Sequence, residues 1–187
     1  MNELTELGRL VGMHAVFGKT MEFQGGDYGV GVLSRAPIVR TDQHLLPGAA
    51  GREPRTALTV YVALGEHEPL LQFTSTHLDQ GRDPVNRIAQ AGYLNELLAG
   101  DGREPSILAG DMNSGEDAEV MQILGEHWTD VVTDREVTEL GRVQRRLDYV
   151  MARPASRWRT IDSRVVDATI ASDHRPVLAV LEWIENP

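Results

Sequence analysis

The chain has 187 residues, 41% of them hydrophobic and 25% charged, with a net charge of −10, which fits one soluble globular domain with a sizeable core. It has no cysteine, which excludes disulfides, thiolate metal sites and a cysteine nucleophile; any metal must take oxygen or imidazole ligands. The negative balance opposes non-specific wrapping of nucleic acid, which needs a basic face. No apolar run reaches the roughly 20 residues of a membrane span, and with no visible leader the chain is expected to be cytoplasmic.

Leu4, Leu7 and Val11 share one face of an opening helix that Gly12 ends. A strand over 29–34 follows, and its small residues (Tyr28-Gly29-Val30-Gly31-Val32-Leu33-Ser34-Arg35) suggest close sheet packing or ligand approach. Residues 46–54 carry two prolines and two glycines and read as a surface loop. Strands 57–64 and 70–76 face each other as a hairpin across Gly65-Glu66-His67-Glu68.

Asp83 is placed to cap a helix with Pro84 in its first turn. Val85, Ile88, Ala91, Leu94 and Leu98 form its apolar stripe, and Gly100 stops it. A strand over 106–109 precedes a helix after Ser114 that carries Val120, Met121 and Leu124 and stops at Gly125. Strands over 129–132, 147–151 and 177–182 complete the pattern. Strands dominate, helices cover them, and neighbours often pair through short turns. The expectation is a single α/β domain over 1–187, a sandwich of mixed sheets.

Two strand tips carry most of the chemistry. Ile107-Leu108-Ala109 runs into Gly110-Asp111-Met112-Asn113, and in extended geometry Asp111 and Asn113 point to the same side. That pair can hold a water, a metal or a phosphoryl oxygen; the alternative is an Asx turn capping the next helix. Ser172-Asp173-His174-Arg175-Pro176 precedes Val177-Leu178-Ala179. Here Asp173 can bind a cation while His174 faces substrate; the alternative is a turn with an incidental surface histidine.

Asp148, between Leu147 and Tyr149, needs a partner because a buried carboxylate is costly. Arg145 or Arg146 would make it a structural ion pair, whereas His174 would make it the orienter of a base. His77 ends the strand Phe73-Thr74-Ser75-Thr76 and can donate to a phosphoryl oxygen. Arg35, Arg55 and Arg175 are candidate phosphate donors, with a solvated surface charge as the favoured reading of each.

The stretches YGVGVLSRAP at 28–37, TSTHLD at 74–79, ILAGDMNS at 107–114, RLDYV at 146–150 and SDHRPVL at 172–178 stand in the order of the endonuclease/exonuclease/phosphatase (DNase I-like) superfamily. The chain resembles its small bacterial metal-dependent hydrolases. The resemblance implies a four-layer α-β-β-α fold of two mixed β-sheets. It also implies phosphoester hydrolysis, of diesters or monoesters, by in-line water attack with Mg²⁺ or Mn²⁺. By position it makes His77, Asp111, Asn113, Asp148 and His174 catalytic and Asp111, Asn113 and Asp173 the metal residues. The substrate expected is a small phosphoester rather than nucleic acid, since the charge is negative and aromatics are sparse.

Such relatives begin with a strand ending in Asn and a second strand ending in Gln-Glu, whose Glu is the main metal ligand. This chain opens on Met1-Asn2-Glu3-Leu4, so a fragment is expected: a fold incomplete at its N-terminus, sheet edges exposed and prone to association, and hydrolysis impaired. The alternative functions are a silent domain of the same fold that binds a phosphorylated ligand or a partner, and a two-chain enzyme.

Overall fold

The computed structural model describes residues 3–66, 69–99, 104–141 and 144–184. In chain order the elements are α1 (Glu3–Val11), β1 (His14–Phe23), β2 (Gly26–Ser34), β3 (Ile38–Leu45), β4 (Thr56–Val62), β5 (Leu71–His77) and α2 (Val85–Leu97). Then come β6 (Ser106–Asp111), α3 (Glu119–Gly125), β7 (Thr129–Asp130), β8 (Asp148–Arg153), β9 (Trp158–Val165) and β10 (Val177–Trp183).

Six strands form one mixed sheet in the order β3-β4-β5-β6-β8-β7. Only the β5–β6 pair in it is parallel. Its centre is buried on both faces, which explains the near-continuous apolar and threonine run Thr56–Val62 in β4. On one face lie the helices: Ala91 and Leu94 of α2 and Val120, Met121 and Leu124 of α3 pack on Leu108, Tyr149 and Met151. The other face takes two separate antiparallel hairpins, β1–β2 and β9–β10. Val16, Val30 and Val32 cover Leu58, Val60, Val62 and Phe73, while Val177, Ala179 and Leu181 cover Ile107, Val150 and Ala152.

Helix α1 closes the stack on the outer side of the first hairpin. Gly31 allows this, because a Cβ there would stand 2.6 Å from Leu4 Cδ2. Gly8 sits equally close to Ala15 and Met13. The result is the four-layer DNase I-like architecture, with one difference from the sequence expectation. The second layer is two hairpins rather than one mixed sheet, because β2 and β10 each pair on a single edge among the described residues.

Several boundaries differ for local reasons. The strand expected over 129–132 ends at Asp130, whose Oδ1 accepts the Val132 N–H and turns the chain. The helix after Ser114 begins at Glu119, because 115–118 close a turn first through Ala118 N–H to Gly115 O. Val85, expected on the buried stripe of α2, is 63% exposed. The buried face of α2 keeps Ala91 and Leu94 and adds Asn86, Gln90 and Asn95, whose amides bond loop backbone, the Asp79 carboxylate and the Ile123 carbonyl of α3. β4 and β5 pair in the expected register, Val60 opposite Phe73. His67, Glu68 and Gly100, named in the sequence reading, lie outside the described residues.

Candidate active site

Register brings the chemistry together. β5 and β6 run parallel, so His77 and Asp111 end side by side; β8 runs the other way, so Asp148, its first residue, stands opposite Asp111. Gly110 permits this, at φ 150° with no Cβ, since a Cβ would meet Thr76 O at 1.9 Å. Any larger residue there would push β6 from β5 and move Asp111 away from His77.

His174 arrives from a loop pinned to the same spot by the segment 138–140. Buried Thr138 accepts the Leu147 and Asp148 N–H groups on Oγ1 (2.9 and 3.1 Å), and its carbonyl accepts the Arg175 N–H (2.8 Å). The Leu140 N–H bonds Asp173 O, and Glu139 bridges His174. The far side is fixed by Tyr149, whose buried hydroxyl donates to Ser114 O at 2.9 Å. Arg146, buried and bonded to Asp130 and Glu116, holds the same segment.

The outcome is one compact group. Asp111, Asp148 and His174 offer ligand atoms that all lie within 4.8 Å of one another. His174 Nδ1 is 2.8 Å from Asp148 Oδ2, and Arg146, the alternative partner for Asp148, is committed to Asp130 and Glu116. His77 Nε2 is 3.4 Å from Asp111 Oδ2, and the Tyr28 hydroxyl is 3.4 Å from His77 Nδ1. Tyr28 and His77 Nδ1 share a hydrogen bond whose donor is set by the imidazole tautomer, whereas His77 Nε2 stands near Asp111 without a hydrogen bond to it.

Asn113 does not continue the strand. Its φ is 48°, its N–H donates to Asp111 Oδ1 (2.7 Å) and its Nδ2 donates to Leu78 O (2.9 Å). The Asx turn and the site therefore coexist, and the extended geometry expected for Asp111 and Asn113 is absent. Asp173 is exposed, and its carboxylate lies outside the three-residue group.

Electrostatics separate the two histidines. Burial, with the charges of Arg55 and His174, lowers His77 to about 4. It is a neutral imidazole at neutral pH, so its 3.4 Å approach to Asp111 is not an ion pair. Burial also works against charge on His174, but the hydrogen bond and charge of Asp148, with Asp111 and Asp173, outweigh it and hold His174 above its ordinary value. Asp111 is pushed up to about 6, first by burial and further by Asp148, against the Asn113 N–H.

The raised Asp111 carries a prediction. Its folded value exceeds the ordinary 3.8, so its stabilising contribution is present below about pH 4 and is lost as pH rises through 6. Asp111→Asn imitates the protonated acid. In EDTA the variant should melt several degrees above the parent at pH 7.5, for roughly 2–3 kcal/mol removed. The gap should close towards pH 4. Calorimetry at both pH values checks this, and an equal gap at both would refute the burial account.

Two side chains stand differently from the expectation. Tyr28 is expected as part of a strand of small residues and not as a site residue, and Arg55, a candidate phosphate donor, is expected at the surface. Arg55 is 2% exposed, and its guanidinium lies near enough to act on both His77 and Asp111. The signal for it was its place one residue before the buried strand Thr56–Val62. Arg35 is exposed as expected, and Arg175 is engaged with Glu136 and the Val137 carbonyl. A concavity of about 1220 Å³ lies apart from this group, against α1 and the β1–β2 turn.

Two carboxylates at the ends of neighbouring central strands, with an imidazole brought beside them by a loop, make the group that the order of the sequence motifs leads one to expect. The match to known proteins agrees: residues 3–174 fit the model of the Endonuclease/Exonuclease/phosphatase family, and the chain belongs to that family. Among solved structures it is similar to a functionally unknown conserved protein from Enterococcus faecalis V583, at 19% identity and TM-score 0.79 over 96% of this chain and 81% of that one. It is also similar to a mannosyl-6-phosphatase from Bacteroides thetaiotaomicron VPI-5482, at 16% identity and TM-score 0.74 over 96% and 81%. The human Nocturnin catalytic domain with bound sulfate matches at 15% identity and TM-score 0.79 over 98% and 77%. At these identities the structural likeness speaks for the fold. Among the described residues no helix is long and apolar enough to cross a membrane.

Proposed function

We propose that the protein is a divalent-metal-dependent hydrolase of small phosphoesters. The observation that carries this reading is the Asp111–Asp148–His174 group within 4.8 Å, at strand ends where His77 also reaches it. The group fits a hard cation. Two half-buried carboxylates face each other, and burial first, then the Asp148 charge, pushes Asp111 up to about 6, a cost that a hard cation between them would offset.

Asp111 and Asp148 would hold Mg²⁺ or Mn²⁺, with Asn113 and Asp173 as further oxygen donors nearby in sequence. Bound there, the cation supplies charge that stabilises the phosphoryl oxygens as phosphorus becomes pentacoordinate. The side chains do the rest. The Asp111 carboxylate orients a water for in-line attack and takes its proton, and the neutral His77 imidazole beside it can donate to a phosphoryl oxygen. Asp148 holds Nδ1–H of His174, which keeps the imidazole charged and leaves Nε2–H to donate to the phosphoryl or leaving oxygen. Asn113 locks the turn between Asp111 and Leu78. A net charge of −10 favours a small substrate over a polyanion.

The test is hydrolysis of p-nitrophenyl phosphate and bis-(p-nitrophenyl) phosphate with Mn²⁺, Mg²⁺ or EDTA, alongside melting curves. Turnover with Mn²⁺ or Mg²⁺ is expected, with loss in EDTA and a cation-dependent rise in Tm that Asp111→Asn abolishes. A folded chain that binds the cation yet turns over neither ester would point to a phospho-ligand-binding domain instead.

A further inference from the structure

The site holds one strong cation that its hydrogen bonding leaves unused. Arg55 is 2% exposed, and neither its Nε nor its Nη1 makes a hydrogen bond. Its ion partner is Glu53, whose Oε1 is 3.2 Å from Nη1. Burying a guanidinium with its donors unpaired is costly, and such donors normally find partners. A fold that keeps one beside its reacting groups keeps it for a ligand or at a loss.

The space around it is specific. Arg55, Thr20, Tyr28, Thr56 and His77 line a cavity of about 10 Å³, the size of roughly one water molecule. An anionic oxygen without a substituent fits such a space, and an alkoxy group does not. His77 and Tyr28 connect it to Asp111 through the contacts described above.

We propose that Arg55 is the phosphate-binding residue that selects monoesters: it receives a bare terminal oxygen of the substrate's phosphoryl group in this cavity. The proposal rests on the phosphoester reading of the same site and narrows it. A monoester brings three terminal oxygens and a second charge at neutral pH. A diester must place a substituted oxygen where only a bare one fits, and it offers the guanidinium one charge fewer.

The experiment compares the full chain with Arg55→Met and Glu53→Gln. Two substrates with the same leaving group serve, p-nitrophenyl phosphate and methyl p-nitrophenyl phosphate, with calorimetric titration of inorganic phosphate in Mn²⁺. The parent should favour the monoester in kcat/KM by roughly 100-fold. Arg55→Met should erase that preference, lowering the monoester value about 100-fold or more with the diester within a few-fold, and should weaken phosphate at least tenfold. Its Tm should stay level or rise, since a buried guanidinium with unsatisfied Nε and Nη1 donors is removed. Glu53→Gln frees the guanidinium and should tighten phosphate several-fold, a readout that stands even if Arg55→Met does not fold.

A parent that prefers the diester, an Arg55→Met chain that binds phosphate as the parent does, or a Glu53→Gln chain whose affinity is unchanged or weaker would overturn the assignment. Should the parent hydrolyse neither ester, the hydrolase reading fails by itself. The phosphate titrations then decide on Arg55 alone: affinity lost in Arg55→Met supports it, and absence of binding to the parent refutes it.

Discussion

Asp111→Asn should fold, melt higher than the parent without metal, and be nearly dead: a kcat at least roughly 1000-fold lower on p-nitrophenyl phosphate, from lost base and lost cation charge together. The residue sits at the meeting point of three elements. His77 lies beside it through the parallel β5–β6 register, Asp148 opposes it through β8, and the Asn113 N–H is 2.7 Å from Oδ1. The amide keeps that hydrogen bond and the volume but cannot take a proton from water or neutralise a cation. A structural role would show the opposite pairing, lower stability with activity largely kept. Activity within tenfold of the parent would remove Asp111 from the mechanism.

His174→Ala and Asp148→Asn should each lower kcat roughly 100- to 10,000-fold, and the double variant should be no worse than the poorer single one. The reason is the 2.8 Å contact between His174 Nδ1 and Asp148 Oδ2, which makes the pair one device. Asp148 sets the tautomer and holds the imidazole above its ordinary value. With an amide in its place the histidine loses its proton at lower pH, so the alkaline limb of the rate profile should move towards acid. That shift separates orientation of His174 from general support of the fold. Single-variant losses that multiply in the double variant would show two independent residues instead of a pair.

The sequence was readable where one residue type has one physical use. Apolar runs ending in Gly110-Asp111 and in Thr76-His77 marked buried strands with polar tips, and β5, β6, β8 and β10 lie where those runs stand. Pro84 after Asp83 marked the start of α2, and the Asp83 carboxylate does accept the Val85 N–H. The strands β1, β3 and β9 were not legible. His14–Phe23, Ile38–Leu45 and Trp158–Val165 mix charges and apolar residues with weak alternation. They are strands because a neighbour supplies the ladder, and that neighbour is distant in sequence for β3 and β9.

The same division runs through the site. Strand patterns and motif order were enough to single out Asp111, Asp148, His77 and His174 as candidates and to expect the layered fold, because carboxylates and imidazoles at the tips of buried strands need partners. Only the tertiary structure decided who meets whom. Parallel pairing set Asp111 beside His77, and Thr138, unremarkable in sequence, carries the backbone bonds that deliver His174 to Asp148 across 26 residues. Arg55 is the sharpest case: an arginine's own chemistry favours the surface, and only packing by Thr20, Tyr28, Thr56 and His77 from four separate strands makes it a buried cation whose Nε and Nη1 lack a hydrogen bond. Burial belongs to the assembled layers and not to any residue's identity, so it enters with the fold.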